Sequence, residues 1–148
     1  MLEALRLAKQ AAARGEVPVG AVIVKDKIVI AEGQNRREQH RDALAHAEME
    51  AIESACRRLH RWRLDDCDLY VTLEPCPMCA GAIINARIRR IYFGAYDSKA
   101  GSFGSLTDLS VLPYNHKPEV YGGIMEAPCR EMLAAFFSQM RLDEKSIP

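Results

Sequence analysis

Between Asp68 and Gly94 the chain reads strand, helix, strand, and this unit restricts the fold more than any other segment. "DLYVTL" (Asp68 to Leu73) and "RIYFG" (Arg90 to Gly94) are rich in β-branched and aromatic residues. "EPCPMCAGAIINA" lies between them. Its prolines suit the first turn of a helix, and Ala80, Ile83 and Ile84 continue as a buried face. Strands joined this way are expected to pair in parallel through a right-handed crossover. Ligands of such sheets gather at the carboxyl ends of strands, beside helix N-termini.

The flanking segments extend the pattern. Residues 2 to 14 carry helical spacing (Leu2, Leu5, Ala8, Ala12), with Gly15 as a stop. "VPVGAVIV" (Val17 to Val24), a turn at Lys25 to Lys27 and "IVIAEG" predict a hairpin. After a polar loop, Ile52, Ala55, Cys56 and Leu59 follow a helical apolar stripe, and His46 stands at the start of that helix. A loop from Ala95 to about Pro118 is longer than most structureless connections, which points to function. "EVYGGI" reads as a last strand. Met132 or Leu133, Phe136, Phe137 and Met140 read as the core-facing side of a closing helix. The order α-β-β-α-β-α-β-β-α predicts an α/β fold: one domain over 1–148, five strands in a mixed sheet, helices on both faces.

The 148 residues are enough for a sizeable core. No apolar run approaches a membrane span, and "MLEALRLAKQ" lacks the continuous apolar stretch of a secretory leader. A cytoplasmic location is therefore expected, with five reduced cysteines and no disulfide partner. Formal net charge is zero, which argues against bulk attraction to nucleic acid or membrane. Local basic stretches remain at Arg36 to Arg41, Arg57 to Arg63 and Arg87 to Arg90, although cations also sit near helix C-termini for dipole reasons alone.

Cys76 and Cys79, at i and i+3, share one face of a helix's first turn. That position favours negative charge and thiolate formation. The pair suits zinc, a redox couple or plain burial. His46, at the start of the neighbouring helix, offers a third ligand and leaves zinc one vacant position, as catalytic sites do. A closed Cys3His site would instead recruit Cys56, Cys67 or Cys129; none makes a second CxxC, and all three read as small core or surface residues. In "ALAHAEMEAI", Glu48 lies at i+2 from His46 and is badly placed to share a metal. It needs only to reach the water on that metal. Zinc with two thiolates and a neutral imidazole is formally neutral and acidifies its water less than a three-histidine site, so a carboxylate base is required. Glu50 and Glu53 read as solvated helix residues.

"HAE" and "PCPMC" together match the zinc-deaminase signature H-x-E…P-C-x-x-C. Beyond that signature, "EVPVGAVIV", "NRREQHRDALAHAE", "LYVTLEPCPMCAGAII", "RIRRIYFGAYDSKAGSFGSL" and the late "FF" resemble the bacterial TadA-type tRNA adenosine deaminases, in the same order over nearly the whole chain. The resemblance implies a cytidine-deaminase-like three-layer α/β/α sandwich and a homodimer that binds RNA near the subunit interface. It implies conversion of adenosine to inosine at the wobble position of a tRNA anticodon stem-loop. His46, Cys76 and Cys79 would hold one Zn2+ per subunit. Glu48 would shuttle protons while zinc-held hydroxide attacks C6. Asn35 would hydrogen-bond the base or ribose, although by spacing alone it is a turn or capping residue. Backbone around Ala47, Leu73 and Glu74 would line the base. Asp97 and Asn115 would meet anticodon nucleotides, and Phe137 would frame the pocket, although by pattern alone it is core.

The target base must leave its stack to reach a recessed metal, which costs less in an anticodon loop than in a duplex. Zero net charge is unusual for an RNA binder and leaves binding to local patches and loop shape. Two rivals share parts of the evidence: a deaminase of free bases or nucleotides, and a zinc-stabilised RNA-binding module without turnover. Glu48 beside a three-ligand site argues against the second.

Overall fold

A computed structural model describes residues 1–147. Five strands form one sheet: β1 (Gly20–Lys25), β2 (Ile28–Gln34), β3 (Cys67–Leu73), β4 (Arg90–Ala95) and β5 (Glu119–Tyr121), in spatial order β2-β1-β3-β4-β5. The helices are α1 (Leu2–Ala13), α2 (Arg37–His40), α3 (Ala47–Leu59), α4 (Pro77–Asn85) and α5 (Glu126–Lys145). β1 is antiparallel to β2 and to β3, whereas β3, β4 and β5 run parallel. The mixed sheet and the parallel β3-α4-β4 unit are as the sequence predicts.

The sheet is covered on both faces. Ile23, Leu69, Val71, Ile91 and Phe93 are buried with Ala51 and Ala55 of α3 and with Ala80 and Ile83 of α4. Each fully buried aliphatic side chain of this kind contributes roughly 1.5–3 kcal/mol. α1 packs on β1 and β2, and α5 on β4. Tyr70, Tyr92 and Tyr121 stand side by side across the parallel strands and stack, at centroid separations of 4.5 and 5.1 Å.

Four expectations are corrected. The first strand begins at Gly20, not Val17. Pro18 has no N–H for a ladder, and Val17 and Val19 instead form a bend closed by Val19 N–H to Val17 O, 2.8 Å. The polar loop contains α2, one turn whose Glu38 and Gln39 amides donate to the buried Glu16 carboxylate, at 3.2 and 2.7 Å. The long loop contains a 3-10 turn (Leu109–Val111). In α5 only Cys129 is buried; Leu133 and Phe136 are half-buried, and Phe137 and Met140 are exposed. That helix packs on β4, with lesser contact to β3 and α1, and its apolar side is only partly covered.

The basic stretches follow electrostatic expectation. Arg57 and Arg58 occupy the last turn of α3. Arg89 and Arg90 pair with Asp68 and Glu119. Glu53 is exposed and pairs with Arg57, while Glu50 is half-buried and bound by Arg36 at 3.1 Å, more constrained than a solvated helix residue.

Two glycines give a direct test of the packing. At Gly33 a Cβ would overlap the Ala47 carbonyl oxygen and come within 2.7 Å of the Ala51 nitrogen. Backbone cannot yield as a side chain does, so Gly33→Ala is expected to destabilise by about 3 kcal/mol. At Gly81, inside α4, a Cβ meets nothing within 4 Å. Gly81→Ala is expected to stabilise by roughly 0.5–1 kcal/mol. Urea denaturation of the two variants against the parent checks the pair, and equal effects would contradict the packing described.

Candidate metal centre and catalytic pocket

β2, β3 and β4 point the same way, so their carboxyl ends share one edge of the sheet. α3 and α4 start at that edge. His46 is the residue before α3, with extended backbone (φ −84°, ψ 153°), and Cys76 holds the same position before α4 (φ −71°, ψ 173°). Pro77 opens α4, where a missing N–H costs nothing. Cys79 lies in the first turn and is fully buried. The two helix starts therefore bring His46 together with two cysteines that lie 30 and 33 positions further along the chain.

His46 Nδ1 is 3.6 Å from Cys76 Sγ and 3.4 Å from Cys79 Sγ. All three ligand atoms lie within 4.8 Å of one another. With Zn–S near 2.3 Å and Zn–N near 2.0–2.1 Å, tetrahedral nitrogen and sulfur ligands stand about 3.5 Å apart. The donor set and its spacing thus fit a tetrahedral ion with one position left over. Cys56, Cys67 and Cys129 are not part of the cluster, and all five cysteines are free thiols. Cys67 is buried at the start of β3, where burial and Asp66 push its thiol up to about 12.

The thiols are strongly coupled. A hydrogen bond from Cys79, with another from His46, pushes Cys76 down to about 4. Cys79 is pushed up, first by its bond to Cys76 and then by burial. His46 is raised, chiefly by the hydrogen bond to Cys76. A divalent cation held here would displace the protons these groups share, because ligands bind deprotonated. Glu48, the second residue of α3, is only 4% exposed. Burial raises its carboxyl above the ordinary range, opposed by its own backbone N–H, Cys79 and His46. A carboxyl that resists ionisation suits proton transfer.

A cavity of about 470 Å³ opens over this group. Such a size is usual for a small-ligand pocket. Of the residues singled out from the sequence, Asn35, His46, Ala47, Glu48, Leu73, Glu74, Cys76, Asp97 and Phe137 line it. Phe137 is 40% exposed at its mouth, so its place is the pocket and not the core. Cys79 lies beneath the lining. Asn115 is exposed on the long loop and is not brought to the cavity. Asn35 lines the cavity and also braces its rim. Its Nδ2 donates to Val17 O, and its Oδ1 accepts from the Arg37 amide, both at 3.2 Å. Asp97 holds a turn by accepting from the Lys99 and Ala100 amides.

Sequence reasoning missed Val17, Val19, Arg37, Tyr96, Ser98, Lys99, Ala100 and Leu133 as lining residues. Tyr96 was open to inference, since it directly follows β4 at the sheet's carboxyl edge. The valines looked like strand residues, and nothing in their pattern separates them from one.

Residues 1–141 match the MafB19-like deaminase family. The chain is 47% identical over 147 residues to a tRNA-specific adenosine deaminase of Bacillus subtilis (strain 168), covering 99% of this chain and 91% of that protein. A solved structure from work on A-to-I editing by tRNA:A34 deaminases at the wobble position superposes with a TM-score of 0.84 at 49% identity, over 88% of this chain and 95% of that one. The guanine deaminase of Bacillus subtilis is more distant, with a TM-score of 0.63 at 36% identity over 95% and 90%. Together with the ligand geometry at the two helix starts, these likenesses establish that the chain belongs to the family of tRNA-specific adenosine deaminases.

Proposed function

We propose that the chain is a single zinc-dependent deaminase domain that converts adenosine to inosine at position 34 of a tRNA anticodon. The observation that carries this reading is the buried Glu48 beside His46, Cys76 and Cys79 at the floor of the cavity. A structural metal site has no use for such a carboxyl.

His46, Cys76 and Cys79 would hold the zinc, which would supply Lewis acidity toward the attacking water. Glu48 accepts the proton of the attacking water and delivers it to the adenine ring nitrogen beside C6. The carboxylate then takes the remaining hydroxyl proton of the oxygen added at C6 and passes it to the amino nitrogen, so that ammonia leaves as the C6–N bond breaks and the C6 carbonyl forms. Asn35, already braced by Val17 and Arg37, is fixed in place to hydrogen-bond the nucleoside. Ala47 and Leu73 border the base, and Phe137 closes the mouth. Asp97 supports the wall that faces neighbouring nucleotides. For Asn115, exposed and away from the cavity, the remaining role is contact with RNA outside the pocket.

We assign a cytoplasmic homodimer. No helix among the described residues is long and apolar enough to cross a membrane. Leu106, Val111, Leu112 and Tyr114, exposed around the 3-10 turn, offer a surface that a second copy would cover. The likeness to a guanine deaminase favours a second reading, deamination of a free purine base, and the assay below includes it.

Glu48→Ala is expected to lower turnover by about a thousandfold, within the usual range for a lost acid–base group, while zinc content and melting temperature stay as in the parent. Near-normal turnover would remove the proposed mechanism. Cys79→Ser, measured by elemental analysis after gel filtration, is expected to lose bound zinc; full stoichiometry would refute the ligand assignment. For substrate, the protein is incubated with an adenosine-34 anticodon stem-loop and, separately, with adenosine, cytosine and guanine. Inosine in the stem-loop supports the tRNA reading, whereas rapid turnover of a free base with none on the stem-loop sinks it.

A further inference from the structure

Glu74 is 2% exposed, one residue past the end of β3 and two before Cys76. Its carboxylate accepts from the backbone amides of Asp97 (3.2 Å), Phe103 (3.1 Å) and Ser105 (3.1 Å), and from the Ser105 hydroxyl. A buried carboxylate is costly unless its lone pairs are filled, and here every donor comes from the one loop that follows β4. The main chain adds two more ties: Glu74 N–H to Ala95 O and Ser102 N–H to Pro75 O, both at 2.9 Å. Gly101 lies so close that a Cβ there would overlap the Glu74 carboxyl carbon. The loop has closed onto this carboxylate.

The same loop supplies Asp97, Lys99 and Ala100 to the cavity wall, and Glu74 is covalently attached to the segment that bears Cys76. We propose that Glu74 is a positioning residue, which sets the distance and tilt of the 97–105 wall relative to the metal ligands and so places the substrate over them. This role rests on the deaminase reading above. Glu74 does not act on the reacting atoms. Its carboxylate is consumed by the loop, so the wall is held by three charge-assisted bonds to backbone amides and one to the Ser105 hydroxyl.

Glu74→Gln preserves size but replaces one acceptor oxygen with an NH2 group aimed at amide donors. Ser105→Ala removes a single donor and leaves the three backbone bonds. Each variant is compared with the parent by hydrogen exchange of residues 97–105, zinc content, melting temperature, and kcat and KM on the adenosine-34 stem-loop. Loss of bonds to a charged acceptor corresponds to about tenfold or more. In Glu74→Gln the loop amides are therefore expected to exchange at least tenfold faster and KM to rise about tenfold, with kcat within threefold and zinc retained. Ser105→Ala is expected to shift both in the same direction by less, and the double variant to be no worse than Glu74→Gln alone. Unchanged loop exchange and KM in Glu74→Gln overturn the proposal. So does loss of zinc together with a collapsed melting temperature, if Ser105→Ala leaves exchange and KM at the parent's values. Inactivity of the parent on the stem-loop would count against the substrate reading alone, since loop exchange is measured without substrate.

Discussion

The carbonyl of Ala47 lies against the α-carbon of Gly33, and through that contact the first turn of α3 is pressed onto the end of β2. His46 immediately precedes this turn, and Asn35 follows β2 by one residue. A side chain at residue 33 would lift the helix and carry His46 and Glu48 away from the thiols. On the other side of the site, only Glu74, Pro75 and Cys76 separate β3 from α4, so Cys76 has little freedom. The meeting of His46 with Cys76 and Cys79 depends on these two short, stiff approaches.

Three buried glutamates show how surroundings divide one chemical group among several tasks. Glu16 and Glu74 each receive backbone amides, from α2 and from the loop after β4, and act as anchors for the two rims of the cavity. Glu48 is equally buried but sits over the cavity, where burial raises its carboxyl. Two of the three carboxylates are thus engaged by backbone amides of distant segments, whereas burial over the cavity is what sets Glu48 apart.

Much of this arrangement was legible in the chain. The apolar stripe of α3, the proline-led start of α4 and the β-branched strands around it are local signals, and local physics reads them correctly. The grouping of His46, Cys76 and Cys79 was legible because those residue types stand at two helix starts that a β-α-β unit places side by side. Val17 and Val19 were misread because a valine beside Pro18 has the same pattern whether it enters a ladder or lines a pocket. Phe137 misled in the opposite sense: its helical spacing reads as core, yet α5 is only partly covered and leaves it at the cavity mouth.

By itself, the sequence determined the element order, the parallel β3-α4-β4 unit and the candidate cluster of His46, Cys76 and Cys79, since periodicity, proline geometry and thiolate chemistry act over a few residues. Only the tertiary structure decided which side chains meet across the cavity. The Glu74 carboxylate is taken up by the 97–105 loop, Asn115 lies outside the pocket, and Glu16 reaches α2. These outcomes come from backbone donors, far along the chain, that require partners once water is excluded, and no local pattern records where such donors will lie.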